Sequence, residues 1–257
     1  MFARKRFGQH FLHDPAAIER IVAAINPQPG DAMVEIGPGR GAITDKLLRG
    51  AGALDAVEID RDLAAELRER YATNKRFVLH QDDALRFDFA ALSVARGKPL
   101  RVIGNLPYNI STPLLFHLIA APAVLADLHV MLQKEVVDRI VAAPGNGEYG
   151  RLTVMLAPWV IPERLFDLGP GAFKPAPRVW SSVLRLTVRN TPSFAVDTRF
   201  ARVVSAAFSQ RRKTLRNALR LLLDASAIES CGVDPGARAE TLQPEQFGLL
   251  ARCLPAG

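Results

Sequence analysis

Residues 104–111 read GNLPYNIS and directly follow LRVI, an apolar run that predicts a buried strand. Asn105 and Leu106 supply an amide oxygen and a backbone carbonyl, both of which accept hydrogen bonds. Pro107 fixes the turn, and Tyr108 supplies a flat apolar face. Such a turn can grip a planar ring and accept hydrogen bonds from an amine on its edge. The alternative, an ordinary turn with Pro107 at its second position, leaves Asn105 and Tyr108 unexplained.

Three glycines follow the first predicted strand, in VEIGPGRG, where Gly37, Gly39 and Gly41 let the backbone turn sharply and approach a ligand closely. The second strand ends in VEID, and its Glu58 is placed to bind both hydroxyls of a ribose. A dinucleotide-binding turn reads G-x-G-x-x-G, whereas here the third glycine position is Ala42. The alternative is a glycine-rich turn with a solvated glutamate.

The third predicted strand is followed by QDDALRF, with Asp82 and Asp83 adjacent. One carboxylate can accept a hydrogen bond from an adenine amine, and the other can cap the segment that follows. Because the carboxyl ends of parallel strands meet at one edge, these acids, the glycines and the GNLPYN turn would share a rim. That order resembles class I S-adenosylmethionine-dependent methyltransferases, which implies this cofactor and no metal.

Apolar runs alternate with amphipathic stretches along most of the chain, which predicts an α/β fold with a Rossmann-like, doubly wound sheet. The predicted strands are 32–36, 54–59, 77–80, 100–103, 128–132, 153–160 and 182–188. Helical patterns start at Asp14 and recur near 43–50, 61–71, 88–96, 112–120 and 134–143. Beyond Asn190 no strand pattern appears, and 197–254 indicates three or four short helices. We therefore expect a methyltransferase domain over 1–190 and a small all-α domain over 191–257.

The resemblance extends to one family. KRFGQHFLHD, EIGPGRGAIT, GNLPYNISTPLLFHL, MLQKEVVDRIVA, YGRLTVM and AFKPAPRVWSSV resemble, in order, the bacterial 16S ribosomal RNA adenine dimethyltransferases. This resemblance implies that methyl groups pass from S-adenosylmethionine to two adjacent adenosines in the 3′-terminal hairpin of 16S rRNA. It also implies a monomer that acts in the cytoplasm on a small ribosomal subunit or its late assembly intermediate.

The family's pattern also implies site residues. Cofactor contacts fall on His10, Leu12, Gly37, Glu58, Asp83 and Asn105. The target base would stack between Tyr108 and Phe173, although an aromatic before prolines, as in GAFKPAP, is also typical of loop packing. The chain departs from the family at His10, where many members have Asn, and at Trp180, where Asp is usual.

The chemistry expected at Asn105 follows from the nature of an adenine amine. Its lone pair is delocalised into the ring, so it is a poor nucleophile, and its protons are too weakly acidic for prior removal by a side chain. A site can accept hydrogen bonds from the amine at Asn105 and the Leu106 carbonyl, and so favour its pyramidal form. With Tyr108 stacking the base, catalysis would consist of positioning and hydrogen bonding without a covalent intermediate.

A basic segment, FSQRRKTLRNALR, carries Arg211, Arg212, Lys213, Arg216 and Arg220 and no acid. On one helix, Arg212, Arg216 and Arg220 would line up opposite an apolar face of Phe208, Leu215, Leu219 and Leu222. A solvated face is the ordinary interpretation of such a run. The missing acids favour contact with RNA phosphates, to which Arg4, Lys5 and Arg6 would add.

Composition sets outer limits on function. The 257 residues carry 33 Lys and Arg against 26 Asp and Glu, a net charge of +7, which favours an anionic partner such as nucleic acid. No apolar run predicts a membrane helix. Cys231 and Cys253 form no pair with the spacing of a metal site, and a reduced, cytosolic setting is expected.

Three other functions compete with the leading one. A dimethyltransferase of large-subunit rRNA is the nearest alternative enzyme. An assembly or RNA-binding factor that keeps the fold without catalysis is the alternative from another class, against which the intact Asn105, Pro107 and Tyr108 argue. A dinucleotide-dependent oxidoreductase is disfavoured by the glycine spacing.

Overall fold

The computed structural model describes residues 10–254 as an α/β protein. The strands are β1 Phe11–Leu12, β2 Met33–Ile36, β3 Leu54–Val57, β4 Phe77–His80, β5 Leu100–Asn105, β6 Leu125–Gln133, β7 Val160–Leu168, β8 Phe173–Lys174 and β9 Ser181–Val188. The α-helices are α1 Pro15–Ile25, α2 Thr44–Ala51, α3 Arg61–Arg70, α4 Phe89–Arg96, α5 Ser111–Ile119, α6 Lys134–Val141, α7 Arg151–Leu156, α8 Thr198–Ser209, α9 Leu215–Ala218, α10 Ala225–Ser230 and α11 Pro244–Arg252.

The main sheet has the strand order β4-β3-β2-β5-β6-β9-β7. The first five of these strands pair in parallel, and β9 runs antiparallel to β6. The central strands β2 and β3 are buried along their whole length, as expected when helices cover both faces of a parallel sheet. Because Ser181 at the start of β9 pairs with Gln133 at the end of β6, β9 begins at the edge where the parallel strands end.

The chain divides into two compact units. Of the described residues, 10–137 and 162–190 make up the first unit, and 138–161 and 191–254 make up the second. Each has its own apolar core: α1, α2 and the sheet surround one, and α8, α9 and α11 contribute to the other. The change at residue 190 coincides with the predicted boundary, but 138–161, which we assigned to the first domain, belongs to the second unit.

One predicted strand is wrong. Residues 153–160 were expected to be a strand, yet α7 occupies the first half of this segment and β7 begins only at Val160. The Thr153 hydroxyl accepts a hydrogen bond from the Gly150 N–H (3.1 Å), which caps the start of α7, and it donates to the Arg139 carbonyl of α6. A short apolar run has no periodicity that distinguishes a strand from a buried helix.

The basic segment does not form the single helix that we expected. Helix α8 ends at Ser209 and α9 begins only at Leu215, so Arg212, Arg216 and Arg220 share no helical face. Two residues of the expected apolar face, Leu215 and Leu219, are fully buried.

The two cysteines, for which a reduced setting was expected, form a disulfide between Cys231 and Cys253 with their Cα atoms 6.3 Å apart. They follow α10 and α11, whose ends converge, and sequence spacing alone does not reveal that. Within residues 10–254, no helix is long and apolar enough to cross a bilayer.

Candidate functional site

A cavity of about 360 Å³ opens in the first unit, at the edge where the parallel strands end. It brings together nearly all of the catalytic and cofactor-binding residues predicted from the sequence: His10, Leu12, Gly37, Glu58, Asp83, Asn105, Leu106, Pro107 and Tyr108. Phe173 is the exception. The four strand-end motifs of the sequence therefore border one cavity.

The glycine-rich turn between β2 and α2 lies against the first short strand. Gly37 and Gly39 have φ of +66° and +58°, a left-handed conformation that side chains with a Cβ rarely adopt. A Cβ on Gly39 would also lie 3.2 Å from the Phe11 ring. The turn therefore requires glycine for backbone conformation and for space, and it leaves the backbone open to a ligand.

Glu58 connects this turn to the end of β3. One carboxylate oxygen accepts from the Gly39 N–H at 3.1 Å and the other from the Asp60 N–H at 2.9 Å. Burial raises the pKa of Glu58, and these backbone donors offset part of that rise. Each carboxylate oxygen has two lone pairs, so the bonds leave acceptor capacity for a ligand's hydroxyls.

The two acids after β4 both accept local backbone hydrogen bonds. Asp82 accepts from the Asp83 N–H at 2.7 Å, and Asp83 accepts from the Leu85 N–H at 3.0 Å. Asp82 is exposed, whereas Asp83 is half-buried, and both line the cavity. The sequence left open which of them is the cap, and the structure assigns this local role to both.

Asn105 is oriented by a hydrogen bond at the end of β5. Its Nδ2 donates to the backbone carbonyl of His10 at 3.0 Å. A carbonyl only accepts hydrogen bonds, so this contact assigns the nitrogen and the oxygen of the amide. Oδ1 is therefore the amide atom available to a donor in the cavity. Gly104 makes room for this turn, because a Cβ there would lie 2.7 Å from the Leu106 side chain.

Tyr108 is held at its far end. Its hydroxyl forms a 2.8 Å hydrogen bond with Oγ of Ser181, and burial raises the pKa of the phenol. The His10 ring lies beside it, with centroids 5.8 Å apart and planes 30° apart, and His10 Nδ1 is 2.8 Å from the Pro175 carbonyl. The aromatic neighbour of Tyr108 in this arrangement is thus His10.

Phe173 packs away from the cavity. It pairs with Leu12 in the two-stranded sheet of β1 and β8, and only 3% of its surface is exposed within the core of the first unit. The structure therefore does not bring Tyr108 and Phe173 to opposite faces of one pocket. A stacking role for Phe173 rests on the family resemblance alone.

Two buried titratable side chains on the cavity wall, Glu35 and His129, were missed by the sequence analysis. Glu35 accepts from the Thr44 hydroxyl at 2.7 Å, and burial raises its pKa from 4.5 to about 7, with Glu58 and Asp45 contributing. For Glu35, the sequence signal was a charged residue inside an apolar run, VEIG, that predicts a buried strand. His129 had the same signal within LHVML.

The predicted RNA-binding cations lie in the second unit. Arg212, Lys213, Arg216 and Arg220 are exposed. Arg211 differs, because it donates to the carbonyls of Gly147 at 2.7 Å and Tyr149 at 3.1 Å. This arginine has a structural role that the sequence did not indicate. Within residues 10–254 no cluster of three or more His, Cys, Asp or Glu side chains is arranged to hold a metal ion.

The sequence matches the family described as ribosomal RNA adenine dimethylase over residues 2–254. The chain belongs to this family. Family membership confirms the predicted enzyme class, an S-adenosylmethionine-dependent rRNA adenine methyltransferase, and it rules out the dinucleotide-dependent oxidoreductase.

Curated relatives match nearly the whole chain. A protein of Aromatoleum aromaticum named ribosomal RNA small subunit methyltransferase A is 55% identical, covering 99% of this chain and 95% of the relative. A protein of the same name from Methylococcus capsulatus is 52% identical, covering 98% of this chain and 97% of the relative.

Solved structures confirm the class I methyltransferase fold. A dimethyladenosine transferase from Plasmodium falciparum superposes with a TM-score of 0.82 at 24% identity, over 94% of this chain and 96% of its own. The 23S rRNA methyltransferase ErmE has a TM-score of 0.71 at 27% identity, over 96% of this chain and 100% of its own.

The buried Glu35 predicts a specific pH dependence of stability. Its pKa is higher in the folded state, so the unfolded chain loses the proton first and stability falls as pH rises from about 4.5 to about 7. Glu35→Gln should remove this loss, and its stability relative to wild type should rise by roughly 2–4 kcal/mol across that range. Urea unfolding between pH 4.5 and 8 measures it.

The exposed Glu66→Gln is the matched control and should follow wild type at every pH. If the stability curves of Glu35→Gln and wild type run parallel across this pH range, the pKa of Glu35 is not raised in the folded protein.

Proposed function

We propose that this protein transfers methyl groups from S-adenosylmethionine to the exocyclic amines of two adjacent adenosines in the 3′-terminal hairpin of 16S rRNA, giving dimethyladenosines. The observation that carries the proposal is the orientation of the Asn105 amide, whose nitrogen is held by the His10 carbonyl beside the Tyr108 ring. The small-subunit target is supported by the names of relatives that are 52–55% identical over nearly the full chain.

The residues around the glycine turn fit the cofactor. The turn has no Cβ where a ligand would approach, and Glu58 keeps lone pairs for the ribose hydroxyls. Asp83 is placed to accept from the adenine amine of the cofactor, and Leu12, Gly37 and the His10 backbone complete the pocket wall. When bound, S-adenosylmethionine supplies a methyl group attached to a positively charged sulfur.

The GNLPYN turn performs the positioning. Asn105 Oδ1 and the Leu106 carbonyl each accept a hydrogen bond from the target amine, which favours the pyramidal nitrogen whose lone pair points at the methyl group. Pro107 fixes the turn and Tyr108 stacks on the base, so the chain supplies geometry and preorganised acceptors. For Phe173 to cover the second face of the base, its ring must leave the core, so this role is a prediction for the RNA-bound state.

The exposed cations of the second unit would contact the phosphates of the small subunit or its late assembly intermediate. Arg212, Lys213, Arg216 and Arg220 are the candidates; Arg211 would act mainly by supporting this segment. Such contacts position RNA without specifying its sequence. Arg4, Lys5 and Arg6, the other predicted contacts, lie outside the described residues. We propose a monomer acting in the cytoplasm.

The similarity to a 23S rRNA methyltransferase favours a second candidate, a large-subunit enzyme, at 27% identity. One experiment decides between the two candidates. The protein is incubated with methyl-labelled S-adenosylmethionine and small subunits lacking the modification and, separately, with labelled cofactor and large subunits. Nucleoside mass spectrometry over time should show monomethyladenosine rising and then falling as dimethyladenosine accumulates in small-subunit RNA. Label in large subunits alone, or monomethyladenosine as the final product, would contradict the proposal; no label in either would indicate a binding factor without catalysis.

Asn105→Ala should abolish most methyl transfer. Removing one preorganised acceptor typically costs about 2.7–4 kcal/mol of transition-state stabilisation, or about a hundredfold to a thousandfold in rate. Asn105→Asp keeps an acceptor but loses the donor to the His10 carbonyl, so it should retain more activity than the alanine variant. Single-turnover rates on unmodified small subunits measure both, and near-normal transfer by Asn105→Ala would remove Asn105 from the mechanism.

Glu58→Ala should weaken cofactor binding by about 1.5–3 kcal/mol, because a charge-assisted bond to the ribose hydroxyls is lost. Isothermal titration calorimetry of the isolated protein measures this without RNA. Glu66→Ala removes an exposed carboxylate from α3 and is the control, with unchanged affinity expected. Equal affinities for all three proteins would contradict the assigned role of Glu58.

Replacing Arg212, Arg216 and Arg220 with Gln should weaken subunit binding and lower the slope of log affinity against log salt by roughly 2–3. The same replacement of Arg49, Arg61 and Arg76, exposed arginines of the first unit, is the matched control. Cofactor affinity should be unchanged in both triple variants. A salt slope equal to that of wild type would make the segment an ordinary solvated surface.

A further inference from the structure

Trp180 is exposed at a position that the catalytic site does not explain. The residue exposes 55% of its surface, and the preceding Val179 exposes 38%. Tryptophan is highly buried on average, and an indole ring with an open face is typical of binding surfaces. Trp180 does not line the cavity, so neither the cofactor nor the target base accounts for it.

The indole ring is supported on one side. A Cβ built on Gly169 would lie 3.7–3.9 Å from its six-membered ring, so the ring packs over a glycine backbone. The Trp180 carbonyl accepts from the Lys134 N–H at 2.9 Å, which anchors the backbone at the end of β6. A flat ring that is backed by main chain and otherwise open to solvent is suited to stacking.

The position of Trp180 relates it to the target base. The next residue, Ser181, begins β9 at the edge where the parallel strands end, and its hydroxyl holds the Tyr108 hydroxyl at 2.8 Å. Successive side chains of an extended chain point to opposite sides. Trp180 therefore lies on the same rim as the Tyr108 platform, but it points out of the cavity.

The surrounding charge favours a polyanion. Between Asp167 and Asp197 the chain contains no acid, and it contains Lys174, Arg178, Arg185 and Arg189, of which Arg185 is paired with Glu163. Lys174, at the end of β8, and Arg178, on the loop that leads to Trp180, are exposed. An aromatic platform near exposed cations is the combination that binds single-stranded nucleic acid.

We propose that Trp180 stacks on an unpaired nucleobase of the RNA, next to the adenosine that enters the cavity. This inference rests on the proposed function, because it assumes an RNA substrate, and it adds a binding subsite outside the catalytic pocket. A base on Trp180 would hold the strand at the rim while the neighbouring base lies against Tyr108. Stacking is tolerant of base identity, so the subsite contributes affinity rather than sequence choice.

The test compares Trp180→Phe, Trp180→Leu and Trp180→Ala in the full chain, binding to small subunits that lack the modification. Phe preserves an aromatic face and should bind nearly as wild type. Leu and Ala should both bind about fivefold to about 150-fold more weakly. Single-turnover rates at saturating subunit should be unchanged, because the residue does not touch the reacting atoms.

Val94→Ala, which alters an apolar residue that is 80% exposed on α4, is the control and should bind as wild type. Wild-type affinity for Trp180→Leu with loss for Trp180→Ala would overturn the inference in favour of an apolar protein contact. Wild-type affinity for all three variants would exclude Trp180 from the interface. Methylation of the subunits by the wild-type protein separates the two claims. If either of these binding results is found and the wild-type protein methylates the subunits, only the stacking inference fails. If the wild-type protein does not methylate them, the proposed function fails.

Fluorescence gives a direct readout of stacking. The chain has two tryptophans, so Trp159→Phe leaves Trp180 as its sole indole emitter. Titrating this variant with a synthetic RNA of the target hairpin should quench the emission, because a base stacks on the ring. Binding seen by anisotropy of a labelled hairpin without any quenching would contradict the inference.

Discussion

The hydrogen bond from Asn105 Nδ2 to the His10 carbonyl is the interaction on which the site depends. It gives the amide one orientation and makes its oxygen the acceptor in the cavity. The carbonyl is in turn positioned by the short pairing of β1 with β8 and by the contact of the His10 ring with Pro175. Residues 10–12 therefore form part of the site, because the His10 carbonyl holds the amide in that orientation.

The rest of the site follows from where parallel strands end. The adjacent strands β2, β3, β4 and β5 deliver the glycine turn, Glu58, Asp83 and Asn105 to one edge. Backbone donors at Gly39 and Asp60 hold the Glu58 carboxylate, so the acid and the turn that approach the ligand are one connected unit. The antiparallel strand β9 adds Ser181, which fixes Tyr108 at the same edge. The site residues are thus positioned largely by the main chain and by hydrogen bonds to it and to Ser181.

Most of this edge could be predicted from the sequence, because glycines, acids and the GNLPYN turn each follow an apolar run and parallel topology brings such ends together. Features that depend on tertiary contacts could not. The segment 153–160 has no periodicity that reveals α7, and the turn at 210–214 that breaks the basic helix is held by contacts distant in sequence. Phe173 is buried because β8 pairs with β1, a long-range pairing that no local pattern indicates. Glu35 and His129 lie within predicted strands, but their place on the cavity wall depends on how the strands assemble.

The most direct measurement of the central claim is a crystal structure of the protein with S-adenosylhomocysteine and an RNA that places its target adenosine in the cavity. We expect Asn105 Oδ1 within about 2.7–3.2 Å of the adenine N6, with Nδ2 still on the His10 carbonyl and the base against Tyr108. An adenine whose amine lies away from Asn105, or an amide released from the His10 carbonyl and turned with its nitrogen toward the base, would contradict it.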